Sequence, residues 1–223
     1  MKKIMFSERF GLEQAVLAGT KTMTRRIIPD IEIDRNRRGR VTLPVGGFEH
    51  GVLFMDVRSI LHDAGISDYS APAKYQPKYE VGEEVAIVQK YETCWNYYKT
   101  QWESRNKPSD WHTPDAMLGD AVQETKGWKN KMFVKAKYMP HRIRITGIKL
   151  ERLQDISDED CLREGLLAGE QDPRMYGFRL PKGTILSFVT PREAFAALID
   201  RISGRGTWQS NPWMYAYTFE LIK

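Results

Sequence analysis

The pattern of apolar residues along the chain predicts five β-strands. Residues 2–6 (KKIMF), 22–28 (TMTRRII) and 84–89 (EVAIVQ) are rich in β-branched or other apolar side chains, which favour an extended backbone. In residues 141–153 (HRIRITGIKLERL), arginine or lysine alternates with apolar residues, as is typical of a half-buried strand. Residues 213–222 (WMYAYTFELI) predict a last strand.

Apolar residues at helical spacing predict a first helix over residues 8–18. Leu12, Ala15 and Val16 fall on one face of it, and Gly19 stands where a C-terminal capping glycine belongs. This helix would lead directly into the second predicted strand.

Capping residues mark the starts of two further helices. In residues 157–166 (SDEDCLREGL), a serine is followed three residues later by an acid, which resembles a capping box. In residues 190–203 (TPREAFAALIDRIS), Thr190 and Glu193 form this box more clearly, with a proline at the first helical position. The buried stripe of that helix is predicted to be Phe195, Leu198, Ile199 and Ile202. Residues 114–124 are a candidate for another helix.

Two stretches carry little pattern and are interpreted as insertions. Residues 30–78 contain clusters of glycine, proline and arginine, with one candidate strand at 51–57 (GVLFMDV). Residues 91–130 are rich in tryptophan. We predict a single domain over residues 1–223 that carries both insertions. Strands of mixed spacing with a few short helices predict an α+β fold built on a small β-barrel.

Composition limits the class of protein. Of the 223 residues, 41% are hydrophobic, which is enough for a core and argues against general disorder. No run of about 18 apolar residues occurs, so we expect no membrane span. Two distant cysteines, Cys94 and Cys161, fit a reducing compartment, and we expect a cytoplasmic protein. Neither cysteines nor histidines show ligand spacing, so we expect no metal and no cofactor.

The distribution of charge favours an anionic partner. The formal net charge is +5. Residues 129–149 include seven basic residues and no acidic one, and residues 21–40 include seven basic residues against three acidic ones. Two such stretches beside polar motifs are typical of nucleic-acid binding. Two solvated basic faces are the alternative.

Four stretches resemble the ASCH family, whose fold is a PUA-like β-barrel. Residues 18–26 (AGTKTMTRR) resemble the family signature G-x-K-T-x-T-x-R, and residues 204–221 (GRGTWQSNPWMYAYTFEL) resemble the ending of its longer, often phage-associated members. Residues 81–89 (VGEEVAIVQ) and 144–166 are similar to an inner strand of the family and to the strand-then-helix segment after it. The resemblance implies a PUA-like small β-barrel with flanking short helices and long insertions.

The same resemblance implies a set of site residues. Small bacterial members of the family hydrolyse the amide of acetylated cytidine nucleosides with a lysine, a threonine and a glutamate. By motif these fall on Lys21, Thr24 and Glu164, and the family arginine falls on Arg26, with Arg25 as an additional positive charge. Other members are proposed to bind RNA, and ribonuclease activity is known for some.

The proposed chemistry depends on how three residues meet. A lysine can be the base for a threonine nucleophile only when neutral, and its unperturbed pKa is about 10.4. Burial and nearby arginines would lower the pKa of Lys21, whereas Glu164 would raise it. In a regular strand Lys21 and Thr24 point to opposite faces, so the backbone has to leave the strand near Gly19. The alternative is that these are ordinary solvated or strand residues.

Recognition of a nucleotide is the function that these observations favour. We expect a nucleotide or modified pyrimidine base, in RNA rather than DNA, or a nucleoside, to bind in the barrel pocket beside a basic surface. The candidate binding residues are Thr22, Arg25, Arg26, His141, Arg142, Arg144 and Trp208. The alternatives are an amidohydrolase of acylated cytidine nucleosides with Lys21, Thr24 and Glu164 as catalytic residues, a ribonuclease, and a protein-docking module. Because the insertions could narrow the pocket, recognition ranks above hydrolysis.

Overall fold

The computed structural model describes residues 1–28, 77–107, 113–119, 124–169, 172 and 174–222, and two short strands within residues 29–76. The strands are β1 (Lys3–Ile4), β2 (Met23–Ile27), β3 (Ile33–Asp34), β4 (Arg40–Val41), β5 (Glu84–Ile87), β6 (Arg142–Arg152), β7 (Leu167–Ala168), β8 (Tyr176–Arg179), β9 (Ile185–Phe188) and β10 (Trp213–Ile222). The α-helices are α1 (Leu12–Leu17), α2 (Tyr91–Ser104), α3 (Pro114–Leu118), α4 (Asp158–Arg163), α5 (Pro191–Ser203) and α6 (Thr207–Ser210). Short 3-10 turns cover Glu8–Phe10, Lys131–Phe133, Ala136–Tyr138 and Leu153–Asp155.

A five-stranded sheet forms the centre of the fold, in the order β1-β5-β6-β10-β2. β1 pairs with β5 in parallel, and the other neighbours are antiparallel. The β6–β10 ladder contains a register shift between Thr218 and Phe219. All five predicted strands are confirmed, and their ends differ from the prediction by no more than two residues.

The two edge strands of this sheet border the same cleft. Within the described ranges no ladder joins β1 to β2, so the sheet does not close into a barrel. The Arg26 side chain of β2 does reach the opposite edge, where its Nη2 donates a hydrogen bond of 2.8 Å to the carbonyl oxygen of Met5, directly after β1. The presence of both helices and sheets confirms the predicted α+β class. The gap between the two edge strands opens into the cleft.

Alternation along β6 builds the main core. Ile143, Ile145 and Ile148 are buried, while Arg144 between the first two is exposed. Burying one such side chain contributes roughly 1.5–3 kcal/mol, so this face fixes the register of β6 against its neighbours. The predicted half-buried strand is confirmed.

The capping box of α5 forms as predicted. Thr190 Oγ1 accepts a hydrogen bond from the backbone N–H of Glu193, whose side chain accepts one from the backbone of Thr190, both at 3.2 Å. Three members of the predicted stripe are buried. Ile202 is 40% exposed, so its predicted burial is wrong, because it lies in the last turn of α5 and borders the cleft.

A glycine divides the first predicted helix. The 3-10 turn Glu8–Phe10 ends at Gly11, whose φ is +70°, and α1 begins after it. Leu12 and Val16 of α1 are buried as expected. Gly19, with φ +77°, turns the chain from α1 towards β2, which is the role predicted for it.

Helix α2 is an element that the sequence pattern does not predict. Only Tyr91 and Cys94 among its 14 residues are buried, so its apolar periodicity is weak. It packs on a second, smaller core formed by Ala86, Val88, Tyr91, Cys94, Leu118, Val134, Tyr138 and Met139. Helix α3 starts as predicted but ends at Leu118, before Gly119 with φ +57°. The described part of the second predicted insertion therefore packs onto the sheet.

A small sheet in the order β7-β8-β9 packs against α5. Its strands have only two to four residues, too few for a reliable periodic signal. The candidate strand at 51–57, and most of the predicted insertion at 30–78, lie outside the described residues. Among the described helices none has the length and apolar character needed to cross a membrane.

Candidate functional site

A cleft of about 980 Å³ lies between the two edges of the five-stranded sheet and α5. The sequence-predicted residues Lys21, Thr24, Arg25, Arg26 and Glu164 all line it. Its lining contains six further basic residues, namely Lys2, Lys3, Arg9, Lys78, Lys131 and Arg201. Among the described lining residues, two acidic ones, Glu8 and Glu164, stand against nine basic ones. The cleft is therefore strongly cationic, which attracts anions.

Lys21 lies on the floor of the cleft, before β2 begins. Its backbone N–H donates to the carbonyl oxygen of Ala15 in α1, so the chain is not yet extended at this residue. The rule that residues 21 and 24 point to opposite faces of a strand therefore does not apply. The side chain is 2% exposed, and Nζ donates hydrogen bonds of 2.6 Å to the backbone oxygen and to Oε2 of Glu164.

Glu164 reaches the floor of the cleft from the end of α4. Ser157 caps the start of that helix by accepting from the backbone N–H of Asp160, as predicted. Glu164 follows the last helical residue, and its backbone N–H donates to the carbonyl oxygen of Asp160. Glu164 is 5% exposed, so the alternative that it is an ordinary solvated residue is wrong. The next residue, Gly165, has φ +96° and packs against the stem of Lys21.

Arg25 joins three carboxylates in the interior. Its Nε donates to Oε1 of Glu151 at 2.8 Å, its Nη1 to Oε1 of Glu164 at 3.0 Å and its Nη2 to Oδ2 of Asp160 at 3.1 Å. Its side chain is 1% exposed. The sequence predicts that Arg25 contacts nucleic acid, but in the structure its guanidinium is bonded to these carboxylates. It thereby fixes one oxygen of Glu164 and leaves the other to Lys21.

Burial and neighbouring charges shift the pKa values of this buried network. Burial lowers the pKa of the Lys21 ammonium, and the Glu164 carboxylate opposes that shift without cancelling it. Burial alone would raise the pKa of Glu164, but Lys21 and Arg25 together outweigh it and hold that pKa below its ordinary value. Despite the effect of burial, Glu164 and Glu151 hold the pKa of Arg25 above its ordinary value. Glu164 is thus a carboxylate, and Lys21 loses its proton more readily than a solvated lysine.

Thr24 and Thr22 have different surroundings. Thr24 in β2 is 3% exposed, pairs with Tyr217 of β10 and lines the cleft. Within the described part of the chain its hydroxyl makes no hydrogen bond. Thr22, one of the candidate binding residues, lies outside the cleft lining, and its hydroxyl accepts a bond of 3.3 Å from Nε of Arg163.

Four other candidate binding residues lie away from the cleft. His141 packs edge-on against the ring of Tyr97 at 4.7 Å, and burial lowers its pKa, which favours the neutral imidazole over the cation. Trp208 belongs to α6, where its ring packs against Phe195. The other two are Arg142 and Arg144, which project from β6 and pair with acidic residues of β5 and β10.

Sequence reasoning missed Glu151 and Asp160 as partners of the site. In the sheet, Ala216 of β10 pairs with Arg25 on one side and with Lys149 on the other. A small residue at this position leaves room for Arg25 to extend past β10 towards Glu151. The signal in the sequence is Glu151, the one acidic residue in β6. That it pairs with Arg25 can be inferred only when the register of β2, β10 and β6 is known.

The described residues do not contain a group of three or more histidine, cysteine, aspartate or glutamate side chains that could hold a metal ion. Together, the fold and the site define a mixed α+β protein with a cationic cleft over the buried network of Lys21, Glu164 and Arg25. Comparison of the chain with protein-family models, with curated proteins and with solved structures found no match.

Proposed function

We propose that the cleft binds a nucleotide or a modified pyrimidine base, with RNA as the natural carrier of that nucleotide. One observation carries the proposal. Five cations of the cleft form no ion pair with another described residue, and they are Lys3, Arg9, Arg26, Lys78 and Arg201. Cations gathered in a cleft without carboxylate partners favour a phosphate-bearing ligand.

The shape of the cleft supports the same ligand class. Its volume of about 980 Å³ falls at the upper end of the range of about 300–1,000 Å³ that is usual for small-molecule sites. Phe6, Phe10, Leu198 and Ile199 contribute apolar surface between the cations. A ligand with one apolar ring and an attached anion matches such a lining.

We further propose that the chain is an ASCH-type protein and that its sheet is a PUA-like barrel opened at the cleft. The signature residues Lys21, Thr24 and Arg26 all line one cleft, as that resemblance requires. The hydrogen bond from Arg26 to Met5 spans the gap where the barrel would close. A cytoplasmic location belongs to the same proposal.

Calorimetric titration with cytidine 5′-monophosphate and with cytidine tests the binding proposal. The wild-type protein is expected to bind the phosphate form more tightly, with an affinity that falls as salt rises. The double variant Arg9→Ala/Arg201→Ala should weaken that binding roughly tenfold or more and leave cytidine binding nearly unchanged. The control is Arg144→Ala, because Arg144 lies outside the cleft. Equal affinity for the two ligands, or an equal loss in the control, would refute the proposal.

Hydrolysis of an acylated cytidine is a second candidate, favoured by one specific observation. Lys21 contacts Glu164, and Thr24 lines the same cleft with its hydroxyl uncommitted among the described residues. Neutral Lys21 would take the hydroxyl proton as Thr24 attacks the acetyl carbonyl, with Arg26 near the developing oxyanion. The lysine proton would pass to the exocyclic nitrogen as the C–N bond breaks. Water would then cleave the acetyl-threonine ester and release acetate.

Release of acetate from N4-acetylcytidine tests this second candidate. Thr24→Val and Lys21→Met should each abolish turnover, and Thr24→Ser should keep part of it. Turnover that persists in Thr24→Val would exclude Thr24 as the nucleophile. A wild-type protein that binds the nucleotide without releasing acetate would leave recognition as the function.

A further inference from the structure

The basic run at residues 129–149 divides into two parts with different surroundings. The part on β6 is neutralised by acidic residues of the neighbouring strands β5 and β10 and of β6 itself. Arg142 lies 3.7 Å from Glu84, Arg144 lies within 3.2 Å of Glu84 and Glu220, and Lys149 lies 2.5 Å from Glu151. These three cations therefore have little charge left for a distant anion.

The other part belongs to a lysine-rich segment, residues 126–137, with five lysines and no acidic residue. Lys131 is neutralised by Glu8 and Glu13. Lys126, Lys129 and Lys137 are exposed and form no ion pair with another described residue. This segment, and not β6, carries the unneutralised charge of the run.

Two large apolar side chains of the segment face solvent. Met132 is 64% exposed and Phe133 is 57% exposed. Lys126 Nζ lies 5.7 Å from the centre of the Phe133 ring. An exposed ring beside a lysine, on a segment with further unpaired lysines, is a combination with which proteins hold single-stranded nucleic acid, through stacking and phosphate contacts.

The backbone of the segment is held in place, so these side chains are presented on a fixed support. The backbone N–H of Tyr91 donates to the carbonyl oxygen of Gly127 at 3.0 Å. The Tyr91 hydroxyl accepts from the backbone N–H of Lys135 at 2.8 Å, and Lys3 Nζ donates to the carbonyl oxygen of Val134 at 2.7 Å. A ligand that stacks on Phe133 would not have to order this loop first.

The segment is continuous with the cleft, since Lys131 and Met132 belong to the cleft lining. We propose that a single RNA strand whose nucleotide occupies the cleft continues over the lysine-rich segment, where Phe133 stacks one base and Lys126 and Lys129 hold phosphates. This inference rests on the proposed function of the cleft. It adds the path of the strand and a stacking residue outside the cleft.

An anionic membrane surface is the other partner that lysines and exposed apolar groups can attract. The structure favours RNA for two reasons. Two exposed apolar side chains on a 3-10 turn offer little surface for insertion, compared with a long amphipathic helix. The surface also leads into the cationic cleft, which a polymer of phosphates can enter.

Fluorescence anisotropy with a labelled cytidine octaribonucleotide tests the path, with cytidine 5′-monophosphate as the single-nucleotide reference. The wild-type protein should bind the octanucleotide at least tenfold more tightly than the mononucleotide. Phe133→Ala should lower octanucleotide affinity roughly tenfold and leave mononucleotide affinity within about twofold. Lys126→Ala/Lys129→Ala should reduce the slope of log affinity against log salt by about 1.4, which is about 0.7 for each lost phosphate contact. The matched control is Val189→Ala, which removes a side chain that is 69% exposed elsewhere.

The outcomes separate the two proposals. If the mononucleotide binds but the octanucleotide binds no more tightly, or if Val189→Ala has the effect of Phe133→Ala, the strand path is overturned while the cleft proposal stands. If the octanucleotide binds through Phe133 but the mononucleotide does not bind, the cleft proposal fails and the surface remains. If Phe133→Ala abolishes sedimentation with phosphatidylserine vesicles and leaves RNA affinity unchanged, the segment is a membrane surface and the inference is wrong.

Discussion

Two arginines on the central sheet make similar ion pairs in opposite surroundings. Arg25 of β2 contacts Glu151 and Glu164 at 2.6 and 3.0 Å, and Arg144 of β6 contacts Glu84 and Glu220 at 3.1 and 3.2 Å. The Arg25 side chain is 1% exposed, whereas that of Arg144 is 45% exposed. The distances do not distinguish the two groups, but their access to water does.

Access to water decides what each ion pair does. Around Arg144, water and salt screen the charges, and long side chains lose entropy when they pair, so little net stability results. Around Arg25, the charges interact strongly but have lost their hydration, so the network gains little over an apolar replacement and loses much when one partner is removed. We interpret the buried network as a device that positions Glu164 and Lys21 in the cleft, and the surface pairs as neutralisation of β6.

Replacement of Arg25 is expected to have the largest effect. Arg25→Met leaves Glu151, Glu164 and Asp160 without their shared cation, and removing one partner of a buried pair costs about 3–5 kcal/mol. Urea denaturation followed by circular dichroism would measure the free energy of unfolding. Arg25→Lys keeps the charge but loses the planar fork, so an intermediate loss is expected. A loss below about 1 kcal/mol in Arg25→Met would contradict the comparison, because the buried network would then behave like a surface pair.

Glu164→Gln should have a smaller effect that depends on pH. At neutral pH the loss is expected to be about 2 kcal/mol, because the amide is uncharged and keeps only one acceptor oxygen for the two donors Lys21 and Arg25. The folded-state pKa of Glu164 lies below its ordinary value of 4.5. The carboxylate therefore contributes its stability fully above 4.5, and that contribution disappears as the pH falls through the folded-state pKa.

This dependence can be measured by urea denaturation of the wild type and of Glu164→Gln at several pH values between pH 7 and pH 3. The free energy of unfolding of the two proteins is compared at each pH. The difference between the two proteins should narrow in acid, and the effects of titrating groups that do not interact with Glu164 cancel in it. A difference that stays constant over this range would mean that the Glu164 carboxylate is not stabilised by Lys21 and Arg25.

A smaller effect is expected for Gly165→Ala, which tests how closely Lys21 is held. An added Cβ would lie 3.3 Å from Cβ and Cδ of Lys21, in a backbone with φ +96°. We expect a loss of about 1–2 kcal/mol from the backbone conformation, together with a shift of the lysine signal in NMR spectra. The matched control is Gly183→Ala, with φ +88° and no atom within 4 Å of the added Cβ. Equal losses and an unchanged lysine signal would show that the packing on Lys21 is loose.

Periodicity predicted the elements in which burial follows sequence spacing. The isoleucines of β6 alternate with polar residues, and the α5 capping box is local, so both could be predicted without knowledge of the fold. Helix α2 could not, since only Tyr91 and Cys94 are buried in it. The predicted burial of Ile202 is wrong, because the spacing of apolar residues along a helix does not reveal that the last turn of α5 borders a cleft.

The site was predictable only in part. The proximity of Lys21 and Glu164 followed from a motif resemblance, since 143 residues separate them along the chain and no spacing rule joins them. The placement of Arg25 was missed because its partner Glu151 lies across β10. The sequence predicts that Arg142 and Arg144 are available to nucleic acid, because sequence alone does not show that Glu84 and Glu220 lie beside them in the sheet.

Replacement of Arg144 is expected to have the smallest effect and therefore sets the lower end of the comparison. Arg144→Met removes contacts with Glu84 and Glu220, but both carboxylates keep their access to water, so no buried charge is left behind. We expect no resolvable change in the free energy of unfolding by urea denaturation, at low or at moderate salt. The stem of methionine covers the same part of the sheet, so packing is also kept. A loss similar to that in Arg25→Met would mean that burial is not the variable that separates the two arginines, and the positioning role assigned to the buried network would lose its basis.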